Sequence, residues 1–215
     1  MSTTPTPLTE PCEFNSCPTG SPAEGFNASD TRLNYVNAFP VDSIRFGIET
    51  LAPTFFGDAK PDFVASGPNI GGNTGFSVFG SGTIGAAFEA AKEGIPSAAF
   101  SASGGTQHEA WTDLTTAPTS PSVLSAISYS SLAVKFLSAL FAQPPSSAVL
   151  PPGVILNVNF PPLSDTYTVL DRSQEGAIAK WLRRLIRILN YQLLFEGAGS
   201  NPAGVEFVLT CMIEI

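Results

Sequence analysis

The segment from Pro61 to Ala87 constrains the fold of this chain more than any other, because three features with a structural meaning follow one another in it. An apolar run, Phe63–Ala65, is typical of a short buried strand and ends at Ser66-Gly67. A loop rich in glycine and asparagine follows, and the turn Ser81-Gly82-Thr83 then opens an alanine-rich helix. This order predicts an anion or metal site at the carboxyl end of a parallel strand.

Helices and strands alternate along the globular part of the sequence. Apolar spacing predicts helices over Pro40–Leu51, Thr83–Lys92 and Pro121–Phe141, and strands over Pro61–Ala65, Ser97–Ala102 and Val154–Phe160. Such alternation is typical of a parallel sheet with right-handed crossovers. The predicted fold class is therefore α/β, with a Rossmann-like parallel sheet and flanking helices.

Composition divides the chain into three predicted parts. Residues 1–35 are rich in Pro, Gly, Ser, Thr and Asn and are predicted to form an irregular surface segment that contains Cys12 and Cys17. Residues 36–163 form the predicted α/β domain, and residues 164–215 form a tail with a basic amphipathic helix.

The composition also limits the classes of partner. Hydrophobic residues make up 43% of the 215 residues and charged residues 13%, as in a globular protein. The net charge of −8 argues against a nucleic-acid partner, because phosphate backbones attract basic surfaces. We expect no transmembrane helix, and the first residues lack the basic and apolar parts of a signal peptide.

Two short motifs near the N-terminus bear on the cellular compartment. Cys12 and Cys17 either close a small disulfide loop, which favours an oxidising compartment, or remain free thiols. Asn27-Ala28-Ser29 is an acceptor triplet for N-glycosylation, which favours secretion, although such triplets also arise by chance. His108, the only histidine, is more typical of an exposed loop residue than of a catalytic one.

Four ordered blocks resemble the SurE family of metal-dependent acid phosphatases and nucleotidases. The blocks are Ser66–Gly75, Ser81–Ala87, Gly94–Ala99 and Leu156–Pro161. Their order and spacing make the resemblance specific, and it covers roughly residues 8–162. The first 60 residues resemble the cysteine-containing insertion of fungal members of this family.

The resemblance implies a set of site residues. Asn69 matches the asparagine that helps to hold a divalent ion, Mg²⁺ or Mn²⁺, and substrate-binding positions near the phosphate are matched by Asn73, Ser81, Gly82 and Thr83. From the residues alone, the asparagines could equally serve a tight loop, and Ser81 or Thr83 could cap the helix. No catalytic residue is assigned, because the aspartate pair of the family motif N-D-D-G has no counterpart in this sequence.

The activity implied by the resemblance is divalent-metal-dependent hydrolysis of phosphomonoesters, including nucleoside monophosphates, by a secreted protein that forms a homodimer. The absent aspartate pair leads us to expect a chain truncated at its N-terminus, with a sheet that lacks its first strand. The alternative is a phosphate-binding remnant or interaction protein without catalytic activity.

The tail has three interpretations. Its basic helix, residues 172–194, either packs on the domain or is a surface helix that lies on an anionic membrane or binds a calmodulin-like partner. Alternatively, residues 179–183 and 199–202 correspond to translated D-arm and T-arm sequences of a tRNA gene, which would make the tail an artefact of the gene model.

Overall fold

The computed structural model describes residues 4–12, 17–103, 116–142, 149–162 and 207–210. These residues belong to two compact units. The first unit contains the described residues up to Ser103 together with 150–160 and 207–210, and the second contains the remainder. The predictions for His108 and for the basic helix of the tail lie outside the described residues.

The first unit contains two sheets and three α-helices. In chain order its elements are β1 (Glu24–Asn27), β2 (Asp30–Val36), α1 (Pro40–Phe46), α2 (Ala52–Phe56), β3 (Phe63–Ile70), α3 (Gly82–Lys92), β4 (Ser97–Ala102), β5 (Ile155–Phe160) and β6 (Phe207–Thr210). A π-helical segment, Gly47–Leu51, joins α1 to α2, and a 3₁₀-helix, Gly75–Gly80, precedes α3. The predicted helices and strands of this unit are therefore present, and β3 continues beyond its predicted end at Ala65.

The main sheet is parallel, in the strand order β5-β4-β3-β6. All six residues of β4 are buried, as expected for an inner strand of a parallel sheet. The sequence analysis expects an open edge where a first strand is lacking, yet β6 pairs with β3 along Phe63–Ser66. The prediction of an α/β fold with a parallel sheet is confirmed.

Helix α3 packs closely on one face of this sheet because the facing side chains are small. Ala86 and Ala90 are fully buried and form a core cluster with Ile44, Ile48 and Val64. Burial of each isoleucine contributes about 1.5–3 kcal/mol to folding. This cluster joins α1, α3 and β3 into one core and so fixes the position of the N-terminus of α3.

The opposite face of the sheet carries larger side chains. Phe100 of β4 and Phe160 of β5 stack with their ring centroids 6.1 Å apart and their planes inclined by 15°. Such offset aromatic pairs add about 0.5–1.5 kcal/mol beyond the area they bury. The pair holds the carboxyl ends of β4 and β5 together.

The N-terminal segment is more regular than predicted. Strands β1 and β2 form an antiparallel hairpin, which is a separate two-stranded sheet. The prediction of irregular structure throughout residues 1–35 is therefore wrong for the hairpin, whose register is set by pairs such as Gly25 with Tyr35. Cys12 and Cys17 form a disulfide, so of the two alternatives for these cysteines the paired one is confirmed.

Helix α4 (Pro121–Phe141) is the main described element of the second unit, and its bounds agree with the prediction. Ser120 caps it by accepting a hydrogen bond from the main-chain nitrogen of Val123. By length and composition alone α4 could cross a membrane, since its mean hydropathy is 1.5. The sequence analysis expects no transmembrane helix. Core helices of soluble proteins pass the same test, so the described residues contain no clear membrane span.

An ion-pair network joins α1 to α3. Glu89 is buried and accepts hydrogen bonds from Nε of Arg45 at 2.8 Å and from Nζ of Lys92 at 2.7 Å. Arg45 also contacts Asp42 at 3.2 Å. Burial acts to raise the pKa of the Glu89 carboxyl, but the hydrogen bonds and charges of Lys92 and Arg45 outweigh it, and the pKa is lowered from 4.5.

Replacement of this carboxylate should destabilise the fold in a pH-dependent way. We expect Glu89→Gln to lower the free energy of unfolding near neutral pH by about 1–3 kcal/mol, because Arg45 and Lys92 lose their charged partner. Since the pKa of Glu89 is lower in the folded than in the unfolded chain, its contribution is complete above pH 4.5 and is lost as the pH falls through the folded value.

Urea denaturation of the wild-type protein and of Glu89→Gln, from neutral pH to below pH 4.5, measures the difference in their free energies of unfolding. The exposed Glu10 provides the matched control variant Glu10→Gln, which should change stability little at any pH. A destabilisation by Glu89→Gln that persists undiminished at acid pH would contradict the role assigned to the carboxylate.

Candidate active site

A bulge in β3 places Asn69 at the end of the strand. Strands β3 and β4 pair regularly up to Ser66 and again from Asn69, and Gly67 and Pro68 lie between without partners in the register. Gly67 has a φ of 94°, and a Cβ at this position would collide with the main-chain carbonyl of Phe100. Only glycine fits here. Asn69 thus belongs to the strand and not to the loop in which the sequence analysis places it.

The side chain of Asn69 uses only one of its two polar ends. Its Nδ2 donates a hydrogen bond to the main-chain oxygen of Gly71 at 2.9 Å. Its Oδ1 makes no hydrogen bond within the described residues, and the residue is half-buried. An amide oxygen of this kind is an acceptable ligand for a hard cation such as Mg²⁺.

Hydrogen bonds of Asn73 attach the glycine loop to two neighbouring strands, β4 and β5. Its main-chain nitrogen donates to Oδ1 of Asn159 at 2.8 Å, and its main-chain oxygen accepts from Nδ2 of Asn157 at 2.8 Å. Its own Nδ2 donates to Oγ of Ser101 at 2.6 Å. Asn73 is 6% exposed, so these bonds are shielded from competing water. The residue therefore holds the loop in place, whatever it contributes to ligand binding.

The sequence analysis uses Asn157 and Asn159 as part of a family motif but does not place them at the site. The structure brings both to the glycine loop, where Asn159 also donates to Oδ1 of Asn157 at 2.9 Å. Residues two apart on a strand share a face, so polar residues at alternate positions of the apolar run Ile155–Phe160 are the signal that could have identified them. Ser101, on the neighbouring strand, completes this polar end of the sheet face.

Ser66 of β3 lies on the same sheet face as Ser101 of β4. It pairs with Ala99, which precedes Ser101 by two residues. Its Oγ is fully buried and has no hydrogen-bond partner among the described residues. A buried hydroxyl without a partner costs about 1–3 kcal/mol, which is uncommon outside functional sites.

The N-terminus of α3 faces the same region. Ser81 caps the helix, because its Oγ accepts a hydrogen bond from the main-chain nitrogen of Ile84 at 3.1 Å. Capping by Ser81, one of the alternatives for this residue, is therefore confirmed. The main-chain N–H groups of Gly82 and Thr83 lie in the first turn, where a helix offers them no acceptor. Such groups and the helix dipole favour an anion at this position.

One shallow cavity, of about 390 Å³, unites most of the predicted site residues. It is lined by Asn69, Ile70, Gly71, Gly72, Asn73, Ser77, Gly80, Ser81 and Gly82. Thr83 is not part of this lining and is only 4% exposed, so it could contribute through its main chain more readily than through its side chain. None of the lining residues is charged, and recognition of an anion here would depend on N–H groups and helix dipole.

The described residues alone do not fit a divalent metal. Within the ranges that the structure describes, no three His, Cys, Asp or Glu side chains cluster in a way that could hold an ion. The free Oδ1 of Asn69 is a neutral ligand, and affinity for Mg²⁺ or Mn²⁺ depends on carboxylate charge and on the number of oxygen ligands.

Loss of the Asn73 side chain should loosen the glycine loop. We expect Asn73→Ala to lower the free energy of unfolding by about 1–3 kcal/mol, because Oγ of the buried Ser101 loses its partner. Amide hydrogen exchange should also accelerate across residues 70–75, since the loop loses one of its attachments to the sheet.

Asn34→Ala, in the hairpin, is the control variant, because Nδ2 of Asn34 likewise donates one hydrogen bond but lies outside the loop. Exchange that stays unchanged across residues 70–75 in Asn73→Ala would show that Asn73 does not hold the loop.

Comparison with known proteins assigns this sequence to a family. The family model described as survival protein SurE matches residues 6–183. An acid phosphatase of Yarrowia lipolytica is 32% identical over 161 residues, which cover 74% of this chain and 44% of that protein. A 5'-nucleotidase, SurE 1, of Thermus thermophilus is 36% identical over 126 residues, which cover 59% of this chain and 39% of that protein.

Among solved structures, the SurE protein from Aquifex aeolicus matches with a TM-score of 0.46 and 28% identity, over 65% of this chain and 47% of that one. The chain therefore spans less than half the length of the relatives it matches. The family match includes the glycine loop, the start of α3 and strand β5, and it also runs past residue 163, where the sequence analysis predicts the domain to end. Because it covers most of the chain, this protein belongs to the SurE family.

Proposed function

We propose that this protein hydrolyses phosphomonoesters, including nucleoside monophosphates, at the site formed by the glycine loop and the start of α3. The observation that carries the proposal is the shared cavity, in which Asn69, Asn73, Ser81 and Gly82 meet at the carboxyl end of β3. The names of the relatives, acid phosphatase and 5'-nucleotidase, support the same class of substrate.

The proposed role of the chain's own residues is to bind and orient the phosphate. The N–H groups of Gly82 and Thr83 would donate to phosphate oxygens, and the dipole of α3 would favour their negative charge. Asn73 would keep the loop at a fixed height above the sheet through its bonds to β4 and β5. Holding the reacting group in one orientation removes much of the entropic part of a barrier.

Dependence on Mg²⁺ or Mn²⁺ is part of this proposal and rests on membership of the family. Asn69 would contribute its Oδ1 as one ligand. Because the described residues contain no such cluster of acidic side chains, a set of carboxylate ligands would have to come from outside the described part of the chain.

The same observation favours a second candidate function, which is phosphate binding without catalysis. The cavity and the helix N-terminus require no metal to attract an anion. In the absence of carboxylates near Asn69 among the described residues, binding could proceed without turnover. The two candidates differ in metal-dependent release of phosphate and not in binding.

Two exposed aromatic side chains beside the cavity bear on substrate preference. Phe76 and Phe79 are 92% and 86% exposed and lie on the 3₁₀-helix that also supplies Ser77 and Gly80 to the cavity. A 3₁₀-helix has three residues per turn, so the two rings share one side of it. Aromatic faces next to a phosphate site favour substrates with a flat ring, such as a nucleobase.

Phosphate release from 5'-AMP by the purified full chain tests the proposed hydrolase. We expect turnover in Mg²⁺ or Mn²⁺ that EDTA abolishes, and a loss of about tenfold or more in Asn69→Ala, because a metal ligand is removed. Asn37→Ala, a change in a half-buried asparagine near the hairpin whose Nδ2 donates to the main-chain oxygen of Thr6, should leave the rate unchanged.

Calorimetric titration with 5'-AMP separates the outcomes of that assay. Binding without turnover would replace the hydrolase by the second candidate. If neither binding nor turnover occurs in a folded sample, the proposed site itself is wrong.

Loss of either Phe76 or Phe79 should weaken the binding of nucleotides more than the binding of phosphate esters that lack a base. We expect Phe76→Ala and Phe79→Ala each to weaken binding of 5'-AMP by about twofold to tenfold, which corresponds to about 0.5–1.5 kcal/mol of ring stacking. Binding of ribose 5-phosphate, which lacks the base, should not change. Phe26→Ala, which removes an exposed ring of the hairpin, is the matched control. Equal loss for both ligands would contradict a stacking role.

A further inference from the structure

The tip of the β1–β2 hairpin presents an asparagine whose side-chain amide nitrogen is unused. Asn27 is exposed, and its Oδ1 accepts a hydrogen bond from the main-chain nitrogen of Ser29 at 2.8 Å. This is an Asx-turn, in which the side chain of Asn27 shapes the turn with its oxygen alone. Its Nδ2 makes no hydrogen bond within the described residues, so this nitrogen has no part in holding the turn.

Every other described asparagine uses its Nδ2 as a donor. Two of them bond to main-chain oxygens near the hairpin and four take part in the glycine loop or its attachments, in the order Asn34, Asn37, Asn69, Asn73, Asn157 and Asn159. A glycan on any of these nitrogens would replace one of its two hydrogens and place a bulky group beside the acceptor to which the nitrogen is already bonded. Asn27 is the one described asparagine whose Nδ2 makes no hydrogen bond.

Asn27 is also the one asparagine of the printed sequence that stands in an N-x-Ser/Thr triplet. The three residues Asn27, Ala28 and Ser29 are all exposed. The hairpin forms its own two-stranded sheet, so its tip takes no part in the main sheet. Asn27 thus combines two independent properties: its Nδ2 makes no hydrogen bond, and it stands in an acceptor triplet.

We propose that Asn27 is an acceptor site for an N-linked glycan, which is transferred in the oxidising secretory pathway. In the transfer reaction Nδ2 of Asn27 forms a bond to the anomeric carbon of an oligosaccharide carried on a lipid pyrophosphate. The bond from that carbon to the pyrophosphate oxygen breaks, Nδ2 gives up one proton, and the lipid pyrophosphate leaves. No oxidant or reductant is needed. The Cys12–Cys17 disulfide is consistent with the same oxidising compartment.

The folded hairpin accommodates this modification. The Asx-turn keeps its hydrogen bond because the glycan is attached to Nδ2 and the turn uses Oδ1. The neighbouring ion pair between Asp30 and Arg32, at 2.8 Å, also remains, since neither side chain forms a hydrogen bond with Nδ2 of Asn27. A glycan at this position should therefore leave the fold of the hairpin unchanged.

The test is expression of the full chain in a eukaryotic host behind a cleavable secretory leader. We expect one mass increment that peptide N-glycosidase F removes, and conversion of Asn27 to Asp, labelled with ¹⁸O when the digestion is run in H₂¹⁸O. Asn27→Gln and Ser29→Ala should both abolish the increment, whereas Ser29→Thr, which keeps the triplet, should retain it. Ser29→Ala leaves the Asx-turn intact, because the turn uses the main-chain nitrogen of Ser29.

Two results would overturn the proposal. One is a secreted chain with its leader removed that shows no glycosidase-sensitive mass. The other is an increment that persists in Asn27→Gln. Secretion of Asn27→Gln and Ser29→Ala at wild-type levels excludes misfolding as the reason for a lost increment. The wild-type protein before and after glycosidase treatment should unfold at closely similar temperatures.

Discussion

The hydrogen bonds of Asn73 are the interaction on which the rest of the site depends. Through its main chain and its side chain the residue is attached to β4 and β5, which are separated from it by long stretches of sequence. A glycine-rich loop without such attachments would sample many conformations, because glycine restricts the backbone least. With the hydrogen bonds of Asn73 in place, the loop leads into a defined 3₁₀-helix, which is followed directly by Ser81, the N-cap of α3.

The attachment is possible because the sheet face under α3 ends, toward the carboxyl ends of the strands, in small and polar side chains such as Ala99, Ser101 and Asn159. Oγ of Ser97, the first residue of β4, donates to the main-chain oxygen of Ala87 at 2.7 Å, so the helix backbone lies close to the strand. Larger residues at Ala86 or Ala90 would push α3 away from the sheet. The position of the helix N-terminus, and with it the position of its free N–H groups, therefore follows from packing several residues further along the helix.

Much of this architecture could be predicted from the sequence, and the failures have physical reasons. The bounds of β4, α3 and α4 follow from apolar runs with clear stop signals such as Gly94. The hairpin could not be recognised, because its alternation is weak and its turn, Ala28-Ser29, lacks the glycine typical of two-residue loops. The bulge at Gly67 depends on how closely Phe100 approaches, which is a tertiary contact that no local pattern encodes.

At the site, the resemblance of their motifs singled out Asn69, Asn73, Ser81, Gly82 and Thr83, and the first four of these line one cavity. It did not foresee that Asn157 and Asn159 reach the loop, because strand pairing across more than eighty residues decides this. Whether these residues bind phosphate stays a prediction, and the role of the side chain of Thr83 does so too.

The central claim is that the glycine loop and the start of α3 bind phosphate through main-chain N–H groups. Its most direct test is a titration of the ¹⁵N-labelled full chain with inorganic phosphate, at constant pH and ionic strength, followed by amide chemical shifts. The account predicts saturable shifts of the Gly82 and Thr83 amides, with smaller ones in the loop and none in the β1–β2 hairpin. Amides of Gly82 and Thr83 that do not respond, or that respond no more than those of the hairpin, would contradict it.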